Sequence, residues 1–292
     1  MAATSLPGTD RTRRTREQLA VVDDAIVQLL ADWSPMTVRQ VYYRVVSLGL
    51  APKTENGYRL VQRECLKLRR SGGIGYSAIA DSTRWQRKPN TYRGAQAALY
   101  DAIRSYRRAL WDTQDVIVEV WVEKDALAGV LMEITGPFDV PLMVSRGFSS
   151  ETYLYEAGEY IVSKGKPAHV IIMTDFDDAG LGIARDVTRK LPEFLPKGWP
   201  IEIKRIAVTD AQIDALGLLS RDPKPRDIKA GMSRCVELDA IEPATLNQML
   251  QDEIVSHLDV AEYNRTLQIE EAEIAKLNEI AEYLPRMLAD VA

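Results

Sequence analysis

Apolar residues recur every three or four positions through the first third of the chain, which is the spacing of amphipathic helices. The pattern predicts one helix in TREQLAVVDDAIVQLLADW, an interruption at Ser34-Pro35, and a second helix in TVRQVYYRVVSLGL with Thr37 as its cap. A third helix is predicted over about residues 56–71, and SGGIGYSAIAD predicts a tight turn and short strands. Three helices followed by a small β element are typical of a winged-helix domain, here residues 17–110.

The period of the pattern changes near residue 115. Short β-branched or apolar runs occur at DVIVEVWV, DVPLMV, AHVIIM and PIEIKRIAV, and helical patterns separate them at LAGVLMEI, ETYLYEAGEYIVSK and AGLGIARDVTRKL. This alternation predicts βαβ units and a parallel sheet covered on both faces, over residues 111–242. No glycine-rich phosphate-binding segment follows the first strand, which disfavours a nucleotide-binding Rossmann domain.

The last segment, residues 243–292, is acidic and helical in pattern. Its apolar positions form a stripe, which favours a packing or dimerisation role over a binding site. We therefore expect a C-terminal helical extension after the α/β domain.

Charge is distributed unevenly along the chain. Residues 1–110 hold 19 basic and 9 acidic residues, whereas residues 111–292 hold 18 basic and 33 acidic residues. A basic first half indicates a polyanionic partner, although a solvated surface with no partner would have the same composition. Residues 1–16, which contain four arginines, predict a disordered basic arm.

Several classes of protein are disfavoured by composition. No apolar stretch approaches the roughly 20 residues of a membrane helix, and no apolar segment follows the N-terminal arginines as in a secretory signal. Cys65 and Cys235 stand far apart, which indicates buried thiols in a reducing compartment. His169 and His257 are isolated in the sequence, so histidine catalysis or ligation is not expected. We expect a cytoplasmic, nucleoid-associated protein with no membrane partner.

Carboxylates follow two of the predicted strands. Glu123 comes after VIVEVWV, and Asp175 and Asp177 come after HVIIM in the segment IIMTDFDDAG. Ligands bind at the carboxyl ends of parallel strands, and if these two strands are neighbours the three acids meet there. Carboxylates with substrate phosphate oxygens suit Mg²⁺, so we interpret the three acids as metal ligands. Asp178 is interpreted as the cap of the next helix, and Glu119, within the strand, as structural.

Adjacent tyrosines lie in the second predicted helix, in TVRQVYYRVV, between Arg39 and Arg44. Helical tyrosines are most often core or rim residues. The alternative is that one of them is a nucleophile that attacks a DNA phosphate held by a nearby arginine. The pattern alone leaves both interpretations open.

Together these segments resemble the superfamily of the topoisomerase VI A subunit and its relatives that make meiotic double-strand breaks. VEKDALAGVL resembles the first motif of a Toprim domain, TDFDDAG its Asp-x-Asp motif, and TVRQVYY the tyrosine motif of the winged-helix domain. The resemblance runs in order from about residue 35 to 245. It implies a winged-helix domain followed by a Toprim domain with a Rossmann-like parallel sheet, similar to the compact "mini-A" type.

The resemblance also implies roles for residues. Tyr43 corresponds to the nucleophile, Arg39 to the helper arginine, and Gly180 to the closing glycine of the acidic motif. Glu123 corresponds to a residue that binds Mg²⁺ and takes part in proton transfer, and Asp175 and Asp177 to the other Mg²⁺ ligands. A basic surface for double-stranded DNA is expected from Arg39, Arg44, Arg63, Lys67, Arg69 and Arg70.

The sequence departs from the family pattern at three positions. Gln40 replaces an acid, Phe176 replaces a glycine and Asp178 replaces a proline. Nothing in the chain resembles the ATPase subunit with which the A subunit works, so strand passage is in doubt and a separate ATPase partner stays open.

Three functions are therefore open. The preferred one is a homodimeric, Mg²⁺-dependent DNA topoisomerase-like enzyme, in which Tyr43 of one protomer and the acids of the other leave a 5′-phosphotyrosyl end. The second is a hydrolytic Toprim nuclease of phage or plasmid defence, in which water replaces the tyrosine. The third is a dimer that binds DNA without cleaving it.

Overall fold

The structure is a computed structural model that describes residues 14–80, 91–145, 147 and 150–287. The chain divides into two compact units between Ala80 and Asp81. The predicted boundary at residue 110 differs from this division, because residues 91–110 contain a helix whose contacts are with the C-terminal helix. Of the predicted basic arm, residues 1–13 lie outside the described residues. Thr15 and Arg16 cap and begin the first helix, so the folded unit starts before residue 17.

The first unit contains helices α1 (Arg16–Trp33), α2 (Val38–Ser47) and α3 (Glu55–Ser71), which pack on one another. Their apolar stripes form one core, centred on Val22, Ile26, Val41, Val61 and Cys65. Burial of these faces removes apolar surface from water and holds the helices together. All three predicted helices are confirmed.

The cap of α2 explains one unusual residue of the sequence. Thr37 caps the helix as predicted, and its hydroxyl accepts a hydrogen bond from the backbone N–H of Gln40, while Gln40 Oε1 accepts one from the backbone N–H of Thr37. Glutamate and glutamine both complete such a capping box. Gln40 is fully buried, so a neutral side chain also avoids the cost of burying a charge.

The predicted strands of SGGIGYSAIAD differ from the structure. Within residues 71–80 the chain forms a short 3₁₀ turn, Tyr76–Ala78, and Ile79 makes a single parallel bridge to Met36. Arg69 donates to the carbonyl oxygens of Tyr76 and Ile79, so α3 holds this turn in place. Residues 81–90, where a wing would continue, lie outside the described residues.

The second unit begins with helix α4 (Ala95–Ser105) and then forms β1 (Ile117–Val122), α5 (Asp125–Thr135), β2 (Leu142–Val144), α6 (Glu151–Lys164), β3 (Ala168–Met173), α7 (Asp178–Lys190) and β4 (Ile201–Ala207). The four strands form a parallel sheet in the order β2-β1-β3-β4. Every residue of β1 is buried, as expected for a central strand with both faces covered. The predicted α/β class with a parallel sheet is confirmed.

Four further helices complete this unit: α8 (Asp210–Ala215), α9 (Pro225–Lys229), α10 (Pro243–Val255) and α11 (Val260–Met287). The helix α10 packs on α5, and α11 packs on α4. The predicted helical character of the C-terminal extension is confirmed for its described part. Across the described ranges, no helix combines the length and apolar character needed to cross a bilayer.

Candidate active site at the carboxyl edge of the sheet

Two neighbouring strands bring the predicted acids together. β1 and β3 are parallel and paired in register, with Val122 opposite Met173. Glu123 follows β1, and its backbone N–H donates to the carbonyl oxygen of Met173 over 3.3 Å. Thr174 separates Asp175 from the end of β3, so both carboxylates lie at the carboxyl edge of the sheet, where ligands bind in such folds.

Glu123 has an unusual electrostatic environment. Its Oε2 atom is buried, with no hydrogen-bond partner among the described residues. Burial raises the pKa of its carboxyl to about 7, and the charges of Asp175 and Asp177 add to the shift. A carboxylate in this position is destabilised by its neighbours and would be stabilised by a cation.

Asp175 is held by two donors. Its Oδ1 atom accepts a hydrogen bond from the backbone N–H of Leu238 over 2.8 Å and lies 3.2 Å from Lys124 Nζ. Burial raises the pKa of Asp175, and these two donors only partly offset it. The carboxylate is therefore oriented in advance, at a cost in desolvation.

Lys124 is the centre of a buried charge cluster that the sequence analysis missed. Its Nζ atom lies 2.8 Å from Asp239 and 3.1 Å from Glu237, in addition to its contact with Asp175. Burial opposes the charge on Lys124, but the three carboxylates outweigh burial and raise its pKa. The only sequence signal was the alternation of acids in CVELDAIEP, whose partner lies more than 100 positions earlier.

Asp177, and not Asp178, caps the helix α7. The Asp177 Oδ1 atom accepts a hydrogen bond from the backbone N–H of Gly180 over 2.8 Å, and its backbone is extended, as a cap requires. The Asp177 Oδ2 atom lies 2.7 Å from Arg221, which also lies 3.1 Å from Asp227. The prediction for Asp178 was wrong, because the helix begins one residue earlier than its apolar pattern indicated.

Asp178 is instead the first residue of α7, and its carboxylate pairs with Arg226. A negative charge in the first turn also interacts favourably with the helix dipole. The same turn is fixed by Asp227, whose Oδ1 accepts from the backbone N–H of Asp178 over 3.2 Å. Burial alone would raise the pKa of Asp227, but hydrogen bonds from Lys224, Asp178 and Arg221 lower it to about 2.

Gly180 and Phe176 show how the acidic loop is built. A Cβ atom on Gly180 would lie 2.2 Å from the carbonyl oxygen of Asp175, so only glycine permits this close approach. Phe176 forms an antiparallel bridge with Val236, with N–H···O distances of 2.7 and 3.0 Å. The backbone at Phe176 is not left-handed, so a residue with a side chain fits this bridge.

The donor chemistry of this edge fits a hard divalent cation. Oxygen ligands are available from Glu123, Asp175 and Asp177, and the buried, unpartnered oxygen of Glu123 is the atom that a cation would satisfy. Within the part of the chain that the structure describes, however, no three His, Cys, Asp or Glu side chains are arranged as a metal site. Lys124 and Arg221 neutralise Asp175 and Asp177 in this arrangement.

Tyr42 and Tyr43 are both buried in the first unit, with exposed fractions of 5% and 3%. The Tyr42 hydroxyl lies 3.2 Å from the carbonyl oxygen of Thr54, and its ring contacts Tyr43. Lys53 lies over the Tyr43 ring, 5.5 Å from its centroid. Arg39, the predicted helper arginine, lies over the ring of Tyr58, 5.0 Å from its centroid.

The predicted DNA-binding residues of α3 differ in their surroundings. Lys67 pairs with Asp23 and Glu64, and Arg63 also pairs with Glu64. Glu64 is buried; its pKa is lowered because these two cations outweigh its desolvation. Arg69 is used within the chain for the turn described above, whereas Arg70 is exposed. Arg44, on α2, is half-buried.

The two histidines are not isolated in the fold. The rings of His169 and His257 stack with their centroids 4.0 Å apart. His169 Nδ1 lies 3.2 Å from Glu202, and His257 Nε2 lies 3.6 Å from Glu253. His169 is near the beginning of β3, at the end of the strand opposite to Asp175, so this pair is separate from the acidic edge.

No protein-family model matches the sequence, and no curated protein matches it significantly.

Proposed function

We propose that this protein is a Mg²⁺-dependent enzyme that cleaves double-stranded DNA, with Glu123, Asp175 and Asp177 as metal ligands and Tyr43 as the nucleophile. The observation that carries the proposal is the unpartnered, buried oxygen of Glu123 beside two more carboxylates. Like charges gathered at the carboxyl edge of a parallel sheet are typical of a cation-binding site.

The chain itself prepares the acids for this role. Lys124 and the Leu238 N–H orient Asp175, and Arg221 and the Gly180 N–H orient Asp177. Side chains held in this way lose little conformational entropy when a ligand binds. A bound Mg²⁺ would supply positive charge to the phosphodiester oxygens in the transition state.

The proposed reaction is a transesterification. The Tyr43 hydroxyl oxygen forms a bond to phosphorus as its proton leaves, and the bond from phosphorus to the 3′ oxygen breaks. The 3′ oxygen takes up a proton, and the 5′ phosphate stays on the tyrosine. The reverse attack by the 3′ hydroxyl rejoins the strand without ATP. As the resemblance implies, Arg39 would hold the phosphate.

A second candidate is hydrolytic cleavage at the same acids, and one observation favours it. Tyr43 is 3% exposed, whereas a nucleophile must reach a DNA phosphate. In hydrolysis, water attacks phosphorus, and the tyrosine has only a packing role.

The two candidates are separated by Tyr43→Phe, with Tyr42→Phe as the matched control. We expect purified wild type to form SDS-stable protein–DNA adducts in Mg²⁺, Tyr42→Phe to retain them and Tyr43→Phe to lose them together with cleavage. Cleavage without adducts that survives Tyr43→Phe would establish the hydrolytic candidate. DNA binding without cleavage in Mg²⁺ or Mn²⁺ would reject both enzymatic candidates.

Metal binding is tested separately by thermal unfolding with and without Mg²⁺ or Mn²⁺. A cation that binds only the folded protein raises Tm. We expect this rise in wild type and in the exposed control Glu133→Gln, and its loss in Glu123→Gln. An equal rise in all three proteins would place the cation elsewhere.

A further inference from the structure

The helix α11 has one face that packs within the chain and another that does not. Thr266, Glu270 and Ala281 are buried, and the side chain of Gln96 donates to the carbonyl oxygen of Ala281 over 3.0 Å. This packed face joins α11 to α4 and to residues 110–113. A second face lies about a quarter turn around the helix from this one, and its side chains are largely exposed.

That second face carries a regular row of side chains, four of which are exposed and apolar. Ile269, Ile280, Tyr283 and Met287 are 40, 52, 59 and 69% exposed. Single exposed apolar residues are ordinary, but these lie in one row. With Glu273 and Lys276 between them, the spacings from 269 to 287 are 4, 3, 4, 3 and 4, which is the heptad spacing of a helix that pairs with another helix.

We propose that α11 of a second copy of this chain packs antiparallel along this row, about a twofold axis between Glu273 and Lys276. Ile269 of each copy then faces Ile280 of the other. Glu273 of each copy faces Lys276 of the other. The same surface is used on both sides, as in an isologous dimer.

Charge selects the antiparallel direction. In a parallel pair in register, Lys276 would face Lys276 and Glu273 would face Glu273, and like charges at a seam are destabilising. In the antiparallel pair both central layers join opposite charges. Glu273 already accepts from Tyr106 and Arg108 over 2.6 Å, and these contacts fix its carboxylate at the seam, where it is 39% exposed.

The surface beside the seam has room for a side chain of the second copy. A groove of about 780 Å³ is lined by Tyr106, Ile269, Ala272 and Leu277, among others. In the proposed register the small Ala272 faces Leu277 of the second copy, so a large side chain meets a small one. The two rows overlap from Ile269 to Ile280, which gives about 16 Å of seam, and Tyr283 and Met287 lie beyond this overlap. The proposal thus names the interface of the homodimer that the family resemblance implies.

Oligomeric state tests the proposal first. In analytical ultracentrifugation without DNA, we expect wild type to sediment as a dimer and Ile280→Glu as a monomer with unchanged helical circular dichroism. Val21→Glu, an equally drastic change at a 52% exposed position of α1, should stay dimeric. A monomeric wild type, or a dimeric Ile280→Glu protein, would overturn the interface.

Cysteine pairing tests the direction. The native Cys65 and Cys235 are buried, 2% and 0% exposed, so they give little background. Under mild oxidation we expect covalent dimers from the double variant Ile269→Cys/Ile280→Cys and none from Ile269→Cys alone. In the antiparallel register the two copies of position 269 are 11 residues, or about 16 Å, apart, and a disulfide needs Cα atoms within about 7 Å.

Covalent dimers from Ile269→Cys alone would show a parallel pair and overturn the proposal. Neither experiment contains DNA or metal. A failed interface therefore leaves the proposed cleavage reaction untouched, and a protein that does not cleave DNA can still be a dimer.

Discussion

The basic helix α3 and the acidic edge of the sheet both concentrate charge, but they handle it differently. On α3 Arg59 and Arg70 are exposed, and the Arg59 side chain is 70% accessible. At the sheet edge Asp175, Asp177 and Asp239 are at most 9% exposed, and each has a cation within 3.2 Å. Exposed charges are solvated by water and are replaceable, whereas buried charges have to be matched one by one.

This comparison identifies Glu123 as the exception. It belongs to the matched region, yet one of its oxygens has no partner among the described residues. Lys124 and Arg221 match the neighbouring acids, and under the proposed function a cation from solution would match this oxygen. The predictions below test the contrast between matched and exposed charge.

The largest effect is expected for Lys124→Met. The substitution leaves Asp175, Glu237 and Asp239 without their shared cation, and loss of one partner of a buried ion pair costs about 3–5 kcal/mol. Urea unfolding at pH 7 measures the loss. The control is Arg59→Met on α3, where both partners of the Arg59–Glu55 pair are 70% exposed. Equal losses in the two variants would contradict the contrast.

A smaller change in the free energy of unfolding, and in this case a gain in stability, is expected for Glu119→Gln. Glu119 is 1% exposed, accepts a hydrogen bond from Trp121 Nε1, and has its pKa raised to about 7, mainly by burial. Because the folded protein binds this proton more tightly than the unfolded chain does, Glu119 favours folding below pH 4.5, and this stability is lost as the pH rises to 7.

Glutamine keeps the hydrogen bond from Trp121 and does not ionise. The variant should therefore match wild type near pH 4.5 and be more stable by about 3 kcal/mol at pH 8. Urea unfolding at the two pH values is the measurement. A stability difference that does not change with pH would show that this carboxyl does not titrate near pH 7.

A still smaller gain is expected for Glu123→Gln. The pKa of Glu123 is raised, as that of Glu119 is, so in the absence of metal the ionised Glu123 side chain destabilises the fold above about pH 7. Because Glu123 is only partly buried, solvent screening reduces the expected gain to about 1 kcal/mol at pH 8. Added Mg²⁺ should reverse the order of stability, since only wild type gains from the cation. Unchanged order in Mg²⁺ would count against the proposed ligand.

The smallest effect on stability is expected for Arg70→Met, within about 0.5 kcal/mol of wild type. If α3 contacts DNA phosphates, the same variant should weaken DNA binding. The slope of the logarithm of the DNA association constant against the logarithm of the salt concentration should also fall in magnitude by about 1. Gel shifts at several salt concentrations measure this slope. An unchanged slope would remove Arg70 from the DNA-binding surface.

Most of the architecture could be predicted from periodicity. The helix α6 and the strand β3 begin and end as their patterns indicated, and Thr37 was identified as a cap. These features depend on short stretches of sequence, in which burial imposes a spacing of 2 or 3.6 residues. The adjacency of Glu123 and Asp175 could also be anticipated, because parallel strands place their carboxyl ends together.

The partners of the acids could not be predicted in the same way. Lys124 meets Glu237 and Asp239 through a loop contact across more than 100 residues, and His169 meets His257 across 88. The choice of Asp177 over Asp178 as the cap depends on the backbone angles at one residue. The helix α4 was missed because alanines supply most of the apolar positions in its short stripe. The winged-helix and Toprim assignments stay predictions.

Asp177 has two roles, as a proposed metal ligand and as a helix cap, and this affects how loss-of-function variants at this edge are interpreted. Its carboxylate is a proposed metal ligand, and one of its oxygens also caps the N-terminus of the helix α7. Replacement by alanine would unwind a turn as well as remove a ligand, so an inactive Asp177→Ala protein would say nothing about metal. Asparagine keeps an acceptor for the N–H of Gly180 and removes only the charge. Asp177→Asn is therefore the variant whose loss of function would report on the metal site.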